Sequence, residues 1–123
     1  MNGLRELCLI NGASGDESRV REYISSRISA DEMFVDNLGN LIVFKKGKNH
    51  PKNKIMFSAH VDEVGFMITH IGEDGFLCFS EVGGINPSVV LGRGIRLESG
   101  ASGVIGTKAI HQQSAEECKS FPA

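Results

Sequence analysis

Apolar residues recur at helical spacing in two segments near the start of the chain. The first covers residues 4–8 and the second covers residues 20–28, where charged and hydroxyl side chains occupy the opposite face. Ser14 followed three positions later by Glu17 matches the capping box, a pattern that begins many helices. The pattern therefore predicts a short first helix and a longer second helix over about residues 16–29.

Strand patterns take over after the second helix. Short β-prone runs at residues 33–36 and 40–45 flank Asn37-Leu38-Gly39, a turn signal that predicts a hairpin. The apolar run at residues 55–59 shows no alternation, which is typical of a strand covered on both faces in the parallel sheet of an α/β protein. This predicted buried strand leads directly into His60.

Glycine becomes frequent in the second half of the chain. Ten of the 15 glycines lie from Gly65 onward. They separate β-prone runs at residues 65–70, 76–80, 89–91, 95–98 and 104–108. So many turns between short strands predict a small antiparallel barrel or sandwich. A second capping box at residues 114–117 predicts a further helical turn.

Length, composition and charge exclude several classes of protein. The 123 residues, 41% hydrophobic and 23% charged, are typical of one globular domain and not of a disordered chain. The net charge of −2 gives no reason to expect a nucleic-acid partner, and the lysines between residues 45 and 54 have no interleaved aromatic side chains. We interpret them as a solvated loop.

The same composition argues for the cytoplasm and against a membrane partner. No apolar run approaches the roughly 20 residues that span a bilayer, and the first residues lack the pattern of a signal peptide. The three cysteines are an odd number at wide spacings without a Cys-x-x-Cys pair, which favours reduced thiols over disulfides or a zinc knuckle.

His60 and Asp62 are the candidate functional residues. They follow the apolar run, and ligands of open α/β sheets bind beyond the carboxyl ends of the strands. In extended backbone they project from one face, so the Asp62 carboxylate can accept a hydrogen bond from one ring nitrogen of His60. Metal-bound imidazoles are typically held in this way. The alternative is a partly buried histidine satisfied by its neighbour, and Glu63 is expected to point the opposite way.

The residues around His60 resemble a known family. Residues 58–66 read Ser-Ala-His-Val-Asp-Glu-Val-Gly-Phe, which is similar to the Ala-His-x-Asp-Glu-Val-Gly-Phe signature of the M42 metallo-aminopeptidases. This family includes glutamyl aminopeptidases, tetrahedral aminopeptidases and proteins once labelled endoglucanases. Further matches follow the same order along the chain, at residues 14–17, 20–21, 36–40, 83–84, 104–106, 109–111 and 114–117.

The resemblance implies an α/β fold in two parts. Residues 1–63 would begin a three-layer α/β/α metallopeptidase domain, and residues 64–123 would form part of a small glycine-rich, PDZ-like β-barrel through which the protein forms a homo-oligomer. It further implies a cytosolic enzyme that removes N-terminal residues from peptide substrates with two divalent metal ions, zinc or cobalt. In the family, the residue matching His60 binds one metal, and the residue matching Asp62 supports that histidine and is counted as catalytic.

The other metal ligands and the general base of the family have no counterpart in this sequence. One histidine cannot hold a metal pair, because a catalytic zinc typically has about three protein ligands. We therefore expect an N-terminal portion that is inactive alone and that associates through exposed sheet edges. The alternatives are a non-catalytic binding or dimerisation module and, suggested only by old family names, a glycan hydrolase, which needs paired catalytic carboxylates.

Overall fold

The computed structural model describes residues 2–49, 52–107 and 111. The elements in these ranges are helices α1 (Asn2–Leu7) and α2 (Ser18–Arg27), strands β1 (Glu32–Val35), β2 (Leu41–Phe44), β3 (Gly65–Ile71) and β4 (Leu77–Val82), a 3-10 turn (Pro87–Val89), and strands β5 (Gly94–Arg96) and β6 (Ser102–Val104). No helix among them is long and apolar enough to cross a membrane. The capping box predicted at residues 114–117 lies outside the described residues.

The chain divides into two compact units, one ending at Gly83 and the other beginning at Gly84. The first unit contains both helices and the hairpins β1–β2 and β3–β4, and the second contains the 3-10 turn and the hairpin β5–β6. The division predicted between residues 63 and 64 concerns the domains of a complete family member. It stays a prediction.

Helix α2 begins without the capping box that its sequence predicts. Glu17 occupies the N-cap position but makes no capping hydrogen bond with its side chain. Its carboxylate instead accepts a hydrogen bond from the Gly15 N–H at 2.7 Å. The Ser14 hydroxyl donates to Asp62. The capping-box prediction is therefore wrong, because the helix begins at Ser18 and has Glu17, not Ser14, at its N-cap.

Strands β1 and β2 form the predicted antiparallel hairpin, in a register that pairs Val35 with Leu41. Asp36 organises the turn between them. Its carboxylate accepts hydrogen bonds from the backbone N–H of Leu38 at 3.0 Å and from the backbone and side-chain amides of Asn40 at 2.8 and 2.9 Å. Because all of these contacts are local in sequence, the turn pattern was sufficient to predict the hairpin.

The glycine-rich strands pair two by two. Strand β3 runs antiparallel to β4 with an irregularity between Ile68 and His70, and β5 runs antiparallel to β6. Residues 89–91 do not form the predicted strand, since Asn86 caps a 3-10 turn there by accepting a hydrogen bond from the Ser88 N–H. The described strands lie in separate two-stranded sheets, and the barrel stays a prediction.

The apolar run at residues 55–59 is not a strand in the part of the chain that the structure describes. Ile55, Met56 and Phe57 are 82%, 88% and 92% exposed. The prediction of a buried strand is therefore wrong for this chain. A strand covered on both faces needs neighbouring strands and helices, and the described residues supply none that pair with this segment.

Val20 is the buried apolar side chain among the described residues of the first unit. It projects from α2 and is 5% exposed. A side chain built on Gly12 would place its Cβ 2.6 Å from Val20 Cγ2, so the two residues approach as closely as a glycine allows. This contact packs α2 against the loop that precedes it, and the same loop reaches the candidate site.

Candidate metal-ligand site

The segment that contains His60 and Asp62 is joined by its backbone to the loop before α2. Ala13 and Glu63 form an isolated parallel β-bridge. The Glu63 N–H donates to the Gly12 carbonyl at 2.8 Å, and the Glu63 carboxylate accepts a hydrogen bond from the Gly12 N–H at 3.2 Å. Glu63 therefore binds the loop.

Glycine at two positions allows this close pairing. Gly12 meets Val20 as described above, and a Cβ on Gly65 would lie 2.9 Å from the Ala13 Cβ, closer than two carbons tolerate. The loop thus lies between α2 and the start of β3 with no space for larger side chains at either contact. As a result, the position of residues 12–16 relative to His60 is set by backbone packing.

The His60 ring is held by Asp62 through one nitrogen. His60 Nδ1 lies 3.1 Å from Asp62 Oδ1 and 3.0 Å from the Asp62 backbone carbonyl oxygen. An ionised carboxylate and a carbonyl can only accept, so Nδ1 must hold the proton. The predicted hydrogen bond is confirmed, and the neutral ring then has its lone pair at Nε2.

The His60 side chain is 86% exposed. The alternative of a partly buried histidine is therefore wrong. A ring that is oriented at Nδ1 and exposed elsewhere can accept an external ligand at Nε2 without breaking the hydrogen bond to Asp62.

Asp62 divides its two carboxylate oxygens between two partners. Oδ1 faces His60, and Oδ2 accepts a hydrogen bond from Ser14 Oγ at 2.5 Å. The Ser14 hydrogen bond, and after it the His60 hydrogen bond, lower the pKa of Asp62 below its ordinary value. The carboxylate is therefore ionised at neutral pH, the state in which it accepts both hydrogen bonds.

Ser14 was not predicted as a site residue. It lies 48 positions before Asp62, and its local pattern is also that of a helix cap. The signal that could have found it is its place in one of the segments that match the family, at residues 14–17.

The described residues fit one part of a metal site and not a whole one. His60 is arranged as a metal ligand would be, because Asp62 holds its Nδ1–H and the lone pair of Nε2 can accept a ligand. Among residues 2–49, 52–107 and 111, however, no three His, Cys, Asp or Glu side chains come together as a group that could hold a metal ion. A catalytic zinc site typically has about three protein ligands, so this part of the chain supplies one at most.

A family model for M42 glutamyl aminopeptidase matches residues 39–122, more than half of the chain, including His60 and Asp62. The chain belongs to the M42 glutamyl aminopeptidase family. The resemblance seen in the sequence is thereby confirmed. The M42 aminopeptidases are peptide hydrolases.

M42 relatives match most or nearly all of this chain but only part of their own length. The glutamyl aminopeptidase of Lactococcus lactis subsp. cremoris is 38% identical over 92 residues, which cover 73% of this chain and 26% of that protein. A Thermotoga maritima structure named as an endoglucanase is 37% identical with a TM-score of 0.77, and the match covers 98% of this chain and 42% of that one.

A third M42 match is the TET1 peptidase of Pyrococcus horikoshii, which can assemble into a tetrahedron or a large octahedral shell. It is 38% identical with a TM-score of 0.74 over 99% of this chain and 37% of its own. The chain spans about a third of the length of the curated relatives that it matches over nearly its whole extent. These matches show the mixed helix and strand fold of the family.

Proposed function

We propose that this chain is the N-terminal part of a metal-dependent aminopeptidase that removes N-terminal residues from peptides. The supporting observation is the exposed His60 imidazole, whose Nδ1–H is held by Asp62 in the region that the family model matches. Membership of a family of peptide hydrolases gives the reaction class.

His60 is proposed to bind one of two divalent metal ions, zinc or cobalt, through Nε2. Asp62 orients the ring and raises its basicity, which makes it a positioning residue. A bound metal pair would supply activation of water for attack on the scissile carbonyl. Because the described residues contain no group of three ligands, the other ligands must come from elsewhere, and we expect the chain alone to be inactive.

The proposal includes self-association and a cytoplasmic location. The P. horikoshii relative forms large assemblies, and the glycine-rich half of this chain, as part of a β-barrel, would provide the interface. Cys8 and Cys78 are both free thiols, as expected in a reducing compartment.

A non-catalytic binding or dimerisation module is the second candidate, and the incomplete ligand set favours it. A glycan hydrolase has no comparable support. The T. maritima structure is named as an endoglucanase, but a name alone does not identify the paired catalytic carboxylates that this reaction requires.

Metal titration and peptidase assays separate these candidates. The 123-residue chain alone should release no p-nitroaniline from aminoacyl-p-nitroanilides with Zn²⁺ or Co²⁺. A chimera that continues at residue 123 with the remaining segment of the P. horikoshii TET1 peptidase should be active. In that chimera His60→Ala should lower kcat/KM by more than about 100-fold, and Asp62→Asn should lower it by about 10- to 100-fold.

His70→Ala is the matched control, since His70 is an exposed histidine on β3. It should leave both metal affinity and activity unchanged. A chimera that stays active after His60→Ala would contradict the proposal. A folded chimera that binds metal but cleaves no peptide would favour the non-catalytic module.

A further inference from the structure

We propose that Ser14 is a positioning residue that fixes the tautomer of His60 through Asp62. The chain of contacts is Ser14 Oγ–H to Asp62 Oδ2, and Asp62 Oδ1 to His60 Nδ1–H. Its meaning for catalysis rests on the proposed function, because what His60 binds is part of that proposal. The positioning itself concerns only residues of this chain.

Ser14 lies in a loop that is held on both sides by backbone contacts. Ala13, immediately before it, pairs with Glu63, and the Ala13 carbonyl also accepts a hydrogen bond from the Asp16 N–H at 2.8 Å. Gly15, immediately after Ser14, has a φ of +97°, a conformation that favours glycine and closes the turn. The backbone on both sides of Ser14 is therefore held by contacts that do not involve its hydroxyl.

Ser14 prevents the Asp62 carboxylate from turning. The Asp62 side chain is 39% exposed, so with a single partner it could rotate and exchange that partner for water. A donor on Oδ2 keeps Oδ1 directed at His60 Nδ1. Ser14 is also the largest contributor to the low pKa of Asp62, which agrees with a strong hydrogen bond to the ionised form.

The consequence appears at the other ring nitrogen of His60. A neutral imidazole holds one proton, and the hydrogen bond made by one nitrogen decides where that proton lies. While Asp62 holds Nδ1–H, Nε2 has the lone pair and can accept a ligand. When the carboxylate is free to turn, the Asp62 backbone carbonyl oxygen at 3.0 Å is the acceptor that stays in place for Nδ1–H. The Nε2–H tautomer then gains population, and that fraction of the molecules has no lone pair at Nε2.

The tautomer can be measured in the 123-residue chain without metal or substrate. In ¹⁵N-labelled protein at pH 8, where the ring is neutral, two-bond ¹H–¹⁵N spectra report the ratio of Nδ1–H to Nε2–H for His60. We expect the Nδ1–H form to dominate in the wild type. Ser14→Ala should lower the ratio by about fivefold, the value of one net hydrogen bond, and Ser14→Thr, which keeps the hydroxyl, should restore it.

Ser18→Ala is the matched control, because the Ser18 hydroxyl bonds only locally to Asp16 at 3.4 Å in the described structure. The ratio at His60 should not change in this variant. If Ser14→Ala alters the α2 amide shifts and so disturbs the fold, Ser14→Cys provides the test, since it keeps the size of the side chain but donates weakly.

An unchanged tautomer ratio in folded Ser14→Ala or Ser14→Cys would overturn the inference. An equal fall of the tautomer ratio in Ser18→Ala would also overturn it, because the change would then not depend on the hydrogen bond from Ser14 to Asp62. Since the measurement uses neither metal nor activity, failure here would not affect the proposed aminopeptidase function. Conversely, an inactive chimera would not affect the result for Ser14.

Discussion

Two aspartates in the first unit have a lowered pKa, one through hydrogen bonds to neighbours in sequence and the other through a hydrogen bond to a distant residue. Asp36 accepts hydrogen bonds from Leu38 and Asn40, and these contacts hold its pKa below the ordinary value, the Asn40 side chain contributing most. The Asp62 carboxylate accepts two hydrogen bonds, and its main donor, Ser14, lies 48 positions away. The first arrangement follows from a turn motif, and the second depends on a loop brought near by β-bridge pairing.

Acidification should weaken the turn of the β1–β2 hairpin at a lower pH than an ordinary aspartate would dictate. The folded pKa of Asp36 is depressed, so its contribution to stability is present above the unfolded pKa of about 4 and is lost as pH falls through the folded pKa. NMR titration of the Leu38 and Asn40 amide shifts should give a midpoint below about 4. Asp36→Asn should abolish that titration, and a wild-type midpoint at or above about 4 would contradict the assignment.

At the scale of elements, α2 and the loop before it form one packed unit. Val20 fills the space above Gly12 and is buried. The loop then pairs with Glu63. The helix therefore positions Ser14 indirectly, since it packs against the loop two residues before Ser14. Helical periodicity predicted that Val20 lies on an apolar face, but not that its partner is a glycine outside the helix.

Substitutions at Gly12 and Val20 should be coupled. Val20→Ala removes buried methyl groups and should cost about 2 kcal/mol. Gly12→Ala forces a carbon within 2.6 Å of Val20 Cγ2 and should cost about 1–3 kcal/mol by overpacking. The double variant should be less destabilised than the sum, because replacing Val20 with the smaller alanine leaves room for the new methyl group.

Urea denaturation followed by helical circular dichroism gives the three free energies of unfolding for this cycle. Gly47→Ala is the control for the loss of a glycine, since a Cβ there meets only an ordinary contact, the Asn49 carbonyl oxygen at 3.5 Å. Strict additivity in the double variant would show that Gly12 and Val20 do not share the packing proposed for them.

At the scale of the whole molecule, the apolar run at residues 55–59, which the sequence pattern predicts to be buried, lies on the surface. Ile55, Met56 and Phe57 are consecutive and nearly fully exposed, whereas Val20 and Ile105 are the buried apolar side chains among the described residues. A contiguous apolar surface of this kind favours association with another chain. The exposed segment ends at His60, so whatever covers it also comes close to the candidate ligand.

The isolated chain should therefore associate in solution. Size-exclusion chromatography with light scattering should show oligomers at tens of micromolar, and replacing Met56 and Phe57 together with lysine should shift the population towards monomer. Leu38→Lys is the control, because Leu38 is equally exposed, at 89%, but stands alone in a hairpin turn. A well-behaved wild-type monomer with a cooperative melt would contradict this expectation.

The sequence alone determined the features that depend on neighbouring residues. It predicted the hairpin around Asp36 and the hydrogen bond from His60 to Asp62, because each is formed within a few residues of extended or turning backbone. It also contained the family signature around His60, because that signature is a contiguous string of residue types.

Only the tertiary structure decided where Ser14 and the apolar run 55–59 lie. The Ser14 pattern predicts a helix cap, but the helix begins at Ser18, and backbone pairing between Ala13 and Glu63 brings the Ser14 hydroxyl to the Asp62 carboxylate. The apolar run has the composition of a buried strand, but burial is a property of the elements around it, and those within the described chain leave it exposed. Contacts between residues that are close in sequence follow from the order of the residues. The burial of an apolar segment and hydrogen bonds between distant residues depend instead on which segments the fold brings together.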